Sequence, residues 1–581
     1  MLRTKTNMAA KILLLAAVLL TAMSGYLLFG NDVEESYAVW VVFSLALYSF
    51  GKCTKHAFRL PVILLSLYIP LVFLGGQIYW ENKVFFPWQM VCVLLGGTVG
   101  SYCLLNKFEN LCREKTLASD RAFGLPVPCY MVLLLLGWLP TFLSNYPGLL
   151  LSDSVWQWNM ALGNSRLSNH HPVSHTFLIY IAQKITALFG GGGTVQPTVA
   201  VAVYSVLQLI LLALILAFAI KIIDKTLQNR WVTVAVLACF ALYPLQGILG
   251  INMTKDTLFS AFVLLLGVLT WRICCTDGAW LQQTRNKVIL CVGLILVLLF
   301  RSNGFLVSLG TVAALFVFYH KKYWKQIAVC GAILVVFWAA WGKALDVAGV
   351  VQPSISESLG MPLNQIGNIV SKDRPLTEEE KDLIEQVIPL DTLKETYSPW
   401  YSDPIKWSDA YDPDAIVQNK GAYLKLWLSL VAKYPLDCLE ASLKLTVGFW
   451  YPGVTKGSIS FDLPQKITLL EDIGAENKPI ISGTLMDPFI GTEIRENTWF
   501  SWLFSIGNVL ILCWTMLAFT IQKEGGKYLC IGAPVLLTWL SLLLATPSYC
   551  ETRYIYSAFL SLPLFVCVYL GCQKKETQKG V

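Results

Sequence analysis

The chain has 581 residues, 55% of them hydrophobic and only 14% charged, with a mean hydropathy of +0.58. That balance excludes an ordinary soluble domain and predicts a polytopic membrane protein. The net charge of +7 sums two opposite populations: residues 346–498 hold 13 Lys+Arg against 23 Asp+Glu, so the remainder carries 31 against 14. A split of this kind points to loops on two sides of a membrane and not to a nucleic-acid partner.

In chain order, apolar runs at 12–29, 61–75, 131–142, 199–220 and 327–341 approach the ~20 residues that a spanning helix needs. The first run follows Arg3, Lys5 and Lys11 without a small-residue cleavage site, so it reads as a retained span. Basic clusters recur at Lys52/Lys55/Arg59, Lys107/Arg113/Lys115/Arg121, Lys221/Lys225/Arg230, Arg272/Arg285/Lys287, Lys321/Lys322/Lys325, Lys523/Lys527 and Lys574/Lys575/Lys579. Placing these in the cytoplasm sends the loops 31–36, 80–83, 145–198, 250–256, 346–498 and 547–553 outward. The result is about 14 spans in the cell membrane, with both termini cytoplasmic.

The first large outer loop opens on the turn Tyr146-Pro147-Gly148. Ser152 or Asp153 is placed to cap a short helix over 154–162 that stops at Gly163. Asp153 and Gln157 share a face of that helix, and Trp156 and Trp158 suit the membrane interface. Three of the five histidines follow at His170, His171 and His175, the last two spaced i, i+4 if the segment after Pro172 is helical. A second interfacial helix is predicted over 176–189.

Further on, Lys255 and Asp256 stand where a span begins, the bland reading being a cap with a snorkelling lysine. The stretch 288–319 is apolar except for Arg301-Ser302-Asn303-Gly304, and both its flanks are basic. A hairpin turning at Asn303-Gly304 keeps both flanks inside. Its arms of about fifteen residues reach ~22 Å against ~30 Å of hydrocarbon, which recesses Arg301 and demands a partner for it.

The acidic segment 346–498 is too polar to span and reads as an inserted, mainly helical domain. Thr377 to Glu380 forms a capping pattern, and 422–430 and 436–450 are apolar enough to lie on the membrane or the bundle. Of sixteen cysteines this segment contains only Cys438, which pairs outside it, for example with Cys550, or stays a thiol. Glu551 and Arg553 flank the last span as interfacial anchors, or Arg553 forms an outward basic set with Lys255 and Arg301. A phosphate-bearing lipid headgroup would satisfy several of these cations at once. The i, i+4 histidine pair leaves a divalent cation open as a cofactor, though no third local ligand is evident.

Together, many amino-terminal spans, an Asp in the first large outer loop, outward basic residues and a late ectodomain resemble the GT-C superfamily of membrane glycosyltransferases. More narrowly, Tyr146-Pro147-Gly148 with Asp153 and Gln157, His171-Pro172, Thr254-Lys255-Asp256, Arg301-Ser302-Asn303-Gly304 and Thr552-Arg553-Tyr554 are similar to a bacterial multipass family, the domain of unknown function 6020. The resemblance implies an all-α, GT-C-like bundle with an extracytoplasmic insertion: a bundle over 1–345, the insertion over 346–498 and further spans over 499–581. It also implies transfer of a sugar from a polyprenyl-phosphate carrier to a cell-envelope glycan or lipid acceptor on the outer face. Asp153 would be the general base, Arg301 with Lys255 or Arg553 would hold the departing phosphate, and His171 and His175, with Gln157 and Asp256 beside them, would line the substrate site. The acidic pair of some GT-C members is not present, since Ser154 follows Asp153, which leaves a single catalytic acid or a different pairing. Two other classes stay open: a lipid or polysaccharide flippase, which would place ionisable groups near the midplane, and a non-catalytic envelope scaffold.

Overall fold

The computed structural model describes residues 2–29, 44, 60–114, 121–189, 194–454, 463–482 and 503–579. Several expectations fall outside these residues: the basic group Lys52, Lys55 and Arg59, Lys115, the loop 31–36, the glycine run 190–193 and parts of the acidic segment.

Among the described residues the chain is helical throughout, with no β-strand and only three isolated bridges. Nine helices are long and apolar enough to cross a membrane, or ten if Arg230–Leu242 and Pro244–Gly250, bent by 51°, form one span. That supports a multipass membrane protein, counted over the described residues alone. Two apolar helices fall below that length: Thr284–Phe300 has 17 residues, and Val173–Phe189, expected as an interfacial helix, also has 17, short of the ~20 that cross the hydrocarbon.

The centre of the bundle is Lys255–Cys275, apolar all round and 83% buried over its spanning window, as expected of a helix enclosed by others. It packs against Pro197–Leu227, Thr284–Phe300, Leu529–Ala545 and Tyr556–Lys579.

The hairpin expected at Asn303-Gly304 is present: Thr284–Phe300 ends, residues 301–303 turn, and Gly304–Val347 returns against it. The returning helix turns again. Tyr323 leaves helical geometry at φ −128°, ψ 23°, and a Cβ on Gly331 would lie 3.3 Å from the Val312 side chain. In one straight helix those residues would stand ~28 Å apart, so 304–322 and 324–347 fold back on each other beside the basic Lys321, Lys322 and Lys325.

The acidic segment has its own small core, in which Ile369, Ile384, Ile388, Leu393, Leu426 and Leu430 pack together. Its helix Glu378–Glu385 starts as expected. Thr377 Oγ1 accepts from the Glu380 amide at 3.2 Å, and Glu380 accepts the Thr377 amide at 2.8 Å. Cys438 and Cys550 are both buried, unpaired thiols, so no disulfide ties the segment to the bundle through them. What ties it is backbone: Ser402 N–H donates to the Pro547 carbonyl and Tyr549 N–H to the Trp400 carbonyl, each at 2.9 Å. The acidic segment therefore grips the loop that precedes the helix Tyr556–Lys579.

Candidate active site

Two distant turns lie side by side. Leu149 and Asn252 form a parallel bridge, with Leu149 N–H donating to the Ile251 carbonyl (3.0 Å) and Met253 N–H to the Leu149 carbonyl (2.8 Å). Gly148 permits this approach: at φ +152° its missing Cβ would stand 2.3 Å from Ser205 Oγ, and that hydroxyl donates to the Pro147 carbonyl at 3.1 Å. Both strands run straight into helices, Ser152–Leu162 and Lys255–Cys275. The bridge thus brings two helix N-termini, each carrying partial positive charge, to one place.

Here the structure corrects one expectation. The first helix begins at Ser152, not Ser154, with Leu151 in the cap position. Ser154 Oγ, not an Asp153 oxygen, accepts the Leu151 amide at 3.0 Å. Asp153, freed from capping, faces the neighbouring turn instead.

There its Oδ2 accepts from Lys255 Nζ at 3.2 Å and from Arg553 at 3.1 Å; neither pair uses Oδ1. Asp256, wholly buried, pairs with Arg301 at 3.2 Å and lies 3.9 Å from Arg553. Glu551 stands 3.4 Å from Arg553 Nε. Three cations and three carboxylates from four segments thus alternate in one connected cluster, and Asp153 and Arg301 share it. Side-chain exposure grades from 0% at Asp256 to 28% at Asp153 and 37% at Glu551, so Asp153 and Glu551 stand on the open side.

Each cation is held differently. Arg301 donates to the Tyr554 carbonyl at 3.0 Å, and its guanidinium lies 4.6 Å from the Tyr554 ring centre and 5.6 Å from that of Phe259. That arrangement is the partner its recessed position demanded. Lys255 donates to His171 Nδ1 at 3.0 Å as well as to Asp153, so it belongs to the cluster and does not reach away from it as a snorkelling anchor would. Arg553 spans Asp153, Asp256 and Glu551.

Protonation follows from this layout. Burial opposes charge on Asp153, but Lys255 and Arg553 outweigh it and hold the carboxyl well below its usual range. Burial, then the Lys255 charge, pushes His171 down to about 3, and His175 likewise to about 3, so both imidazoles are neutral at physiological pH. Glu551 moves the other way: burial raises it, with Arg553 only partly compensating.

Gln157 and His175 sit behind the cluster. Both are buried, and His175 Nδ1 lies 2.8 Å from Gln157 Oε1, while its Nε2 lies 2.6 Å from the Tyr204 hydroxyl. Tyr204 donates to Gln208 Oε1 at 2.6 Å, and Gln208 Nε2 donates to the carbonyls of Leu249, Gly250 and Asn252. This chain runs from the Asp153 helix to the turn before Lys255, so it sets the distance between the two halves. His170 is exposed and stacks edge-on against His171 at 4.4 Å.

Sequence reasoning missed three contributors. Glu551 was read as a flank, although its position two residues before Arg553 was a signal. Tyr554 stood in the Thr552-Arg553-Tyr554 motif without a role, and the Tyr204–Gln208 pair gave no signal, because polar residues within apolar runs carry no spacing pattern. Among the described residues no three His, Cys, Asp or Glu side chains converge in metal-ligating geometry.

No curated protein and no solved structure matches the chain. A family model, described as a family of unknown function (DUF6020), matches residues 131–461, more than half the chain and every cluster residue except Glu551 and Arg553. The chain belongs to the DUF6020 family.

Proposed function

We propose that the protein is a multipass cell-membrane glycosyltransferase of GT-C type, both termini cytoplasmic, that moves a sugar from a polyprenyl-phosphate carrier to a cell-envelope acceptor on the outer face. The observation that carries this reading is the cluster in which Lys255 and Arg553 share Asp153 Oδ2 beside two converging helix N-termini. Fixed donors of positive charge at one point suit a phosphate, and arginine suits it bidentately.

In the resting cluster Asp153 is a weak base, because its two cations stabilise the carboxylate. A donor phosphate competes for Lys255 and Arg553, and as they turn to it Asp153 loses the charges that depress its proton affinity. Donor binding thereby activates the base. Asp153 then takes the proton of the acceptor hydroxyl, whose oxygen attacks the anomeric carbon. The bond from that carbon to the phosphate oxygen breaks, its electron pair leaves on the lipid phosphate, and the sugar inverts. Lys255 and Arg553 offset the charge that grows on the leaving phosphate. Arg301, locked by Asp256 and Tyr554, contributes a fixed positive field.

The test is purified protein with a panel of polyprenyl-phosphate sugars, read as released lipid phosphate. Asp153→Asn is expected to lower transfer ~10²–10⁴-fold, the range of general-base contributions, while membrane insertion stays intact. Full activity in that variant overturns the assignment.

A further inference from the structure

The inserted domain encloses a cavity of 260 Å³ lined almost wholly by apolar atoms, among them Leu363, Ile366, Ile384, Leu393 and Trp427. An engineered apolar cavity of ~150 Å³ already binds benzene, and an empty one destabilises a core in proportion to its volume. At ~30 Å³ for a group the size of a water or a methylene, a cavity of this volume has room for part of an acyl chain. Trp427 lines it with its polar edge satisfied, since Nε1 donates to Gln365 Oε1 at 2.6 Å, so the ring leaves no polar atom unsatisfied at the wall.

The rim continues outward onto an apolar stripe. Lys420 and Leu424 line the cavity on the helix Lys420–Lys433, and both are exposed. Leu424, Leu428, Leu436 and Leu439 are 49–78% exposed on that helix and the next, Pro435–Leu445. The second helix packs against the span Leu60–Tyr79, and the chain beyond it enters the bundle, where Gln77 Nε2 donates to the Tyr451 hydroxyl at 3.0 Å. Four bare leucines joined to a spanning helix match the way amphipathic helices seat on a bilayer surface, and the cavity opens where that stripe begins.

We infer that this cavity takes up one acyl chain of a phospholipid from the adjoining bilayer, entering past Leu424 with the lipid phosphate on Lys420. The inference concerns a second lipid site, independent of the Asp153 cluster. The test uses the full chain in nanodiscs containing phosphatidylglycerol with a diazirine near the end of one acyl chain, followed by photolysis and peptide mapping. Wild type is expected to label in 355–366 and 420–427 as well as in the spans. Ile366→Phe and, separately, Leu363→Phe fill the cavity and should lower labelling of those two segments at least tenfold, with labelling of the spans unchanged as the control for folding. Lys420→Gln should lower it about fivefold, the effect of one basic residue beside an anionic surface. Labelling confined to the spans, or labelling of the two segments that survives both filling variants, overturns the inference.

Discussion

The buried pair Asp256–Arg301 gives a perturbation whose size can be worked out. Asp256→Asn removes the only carboxylate that Arg301 pairs with among the described residues, and Arg301 is itself just 12% exposed. Breaking a buried pair from one side costs ~3–5 kcal/mol, because a charge is left without compensation. Arg301 keeps its bond to the Tyr554 carbonyl and its two ring contacts, which together hold the expected cost at the lower end, about 3 kcal/mol. Arg301→Met by itself strands Asp256, but that carboxylate still has Arg553 at 3.9 Å, so a smaller loss, about 2 kcal/mol, is expected. The double variant removes both charges and should recover about half of the summed loss, giving a coupling of ~2–3 kcal/mol in a double-mutant cycle. The assay is unfolding of purified protein in mixed micelles, followed by helical circular dichroism across a denaturing-detergent series. A loss below ~1 kcal/mol for Asp256→Asn, or a double variant no better than the sum of the singles, would falsify the view that these charges stabilise each other.

Three further outcomes follow from the same geometry. His171 and His175 have folded values near 3 against ~6.5 unfolded, so the unfolded chain binds more protons below pH 6.5 and stability falls as pH drops from 6.5 towards 3. At pH 5 each contributes a loss of about 2 kcal/mol; His175→Gln should flatten the slope by one proton, and a slope unchanged in that variant would refute the neutral-histidine reading. Gly304→Ala places a Cβ 2.1 Å from the Val297 carbonyl oxygen; the hairpin must open, and a cysteine introduced at Ser302 should react faster with a water-soluble maleimide than in the parent. Thr377→Ala removes the cap of Glu378–Glu385 and should cost ~1 kcal/mol in the inserted segment, leaving transfer at the Asp153 cluster unchanged.

The sequence by itself determined the membrane class, the hairpin at 301–304, the turn at 146–148, the capping box at Thr377 and the outer-loop residues around which the cluster forms. These rest on local physics: apolar length, turn chemistry and charge beside apolar runs need no knowledge of what lies opposite. Tertiary structure alone decided who meets whom. Asp153 looked equally like a cap, and only the Ser154 hydroxyl bonded to the Leu151 amide showed that the carboxylate was released for Lys255 and Arg553. Gln157 and His175 looked like substrate contacts, and the Tyr204–Gln208 chain showed them bracing the site from behind. Arg301 was recognised as needing a partner, but Asp256 and Arg301 lie on different helices whose approach depends on packing of the whole bundle. The number of spans depends on the same thing: a run of apolar residues records length, whereas whether it crosses, folds back at Tyr323 or stops short is set by the helices around it.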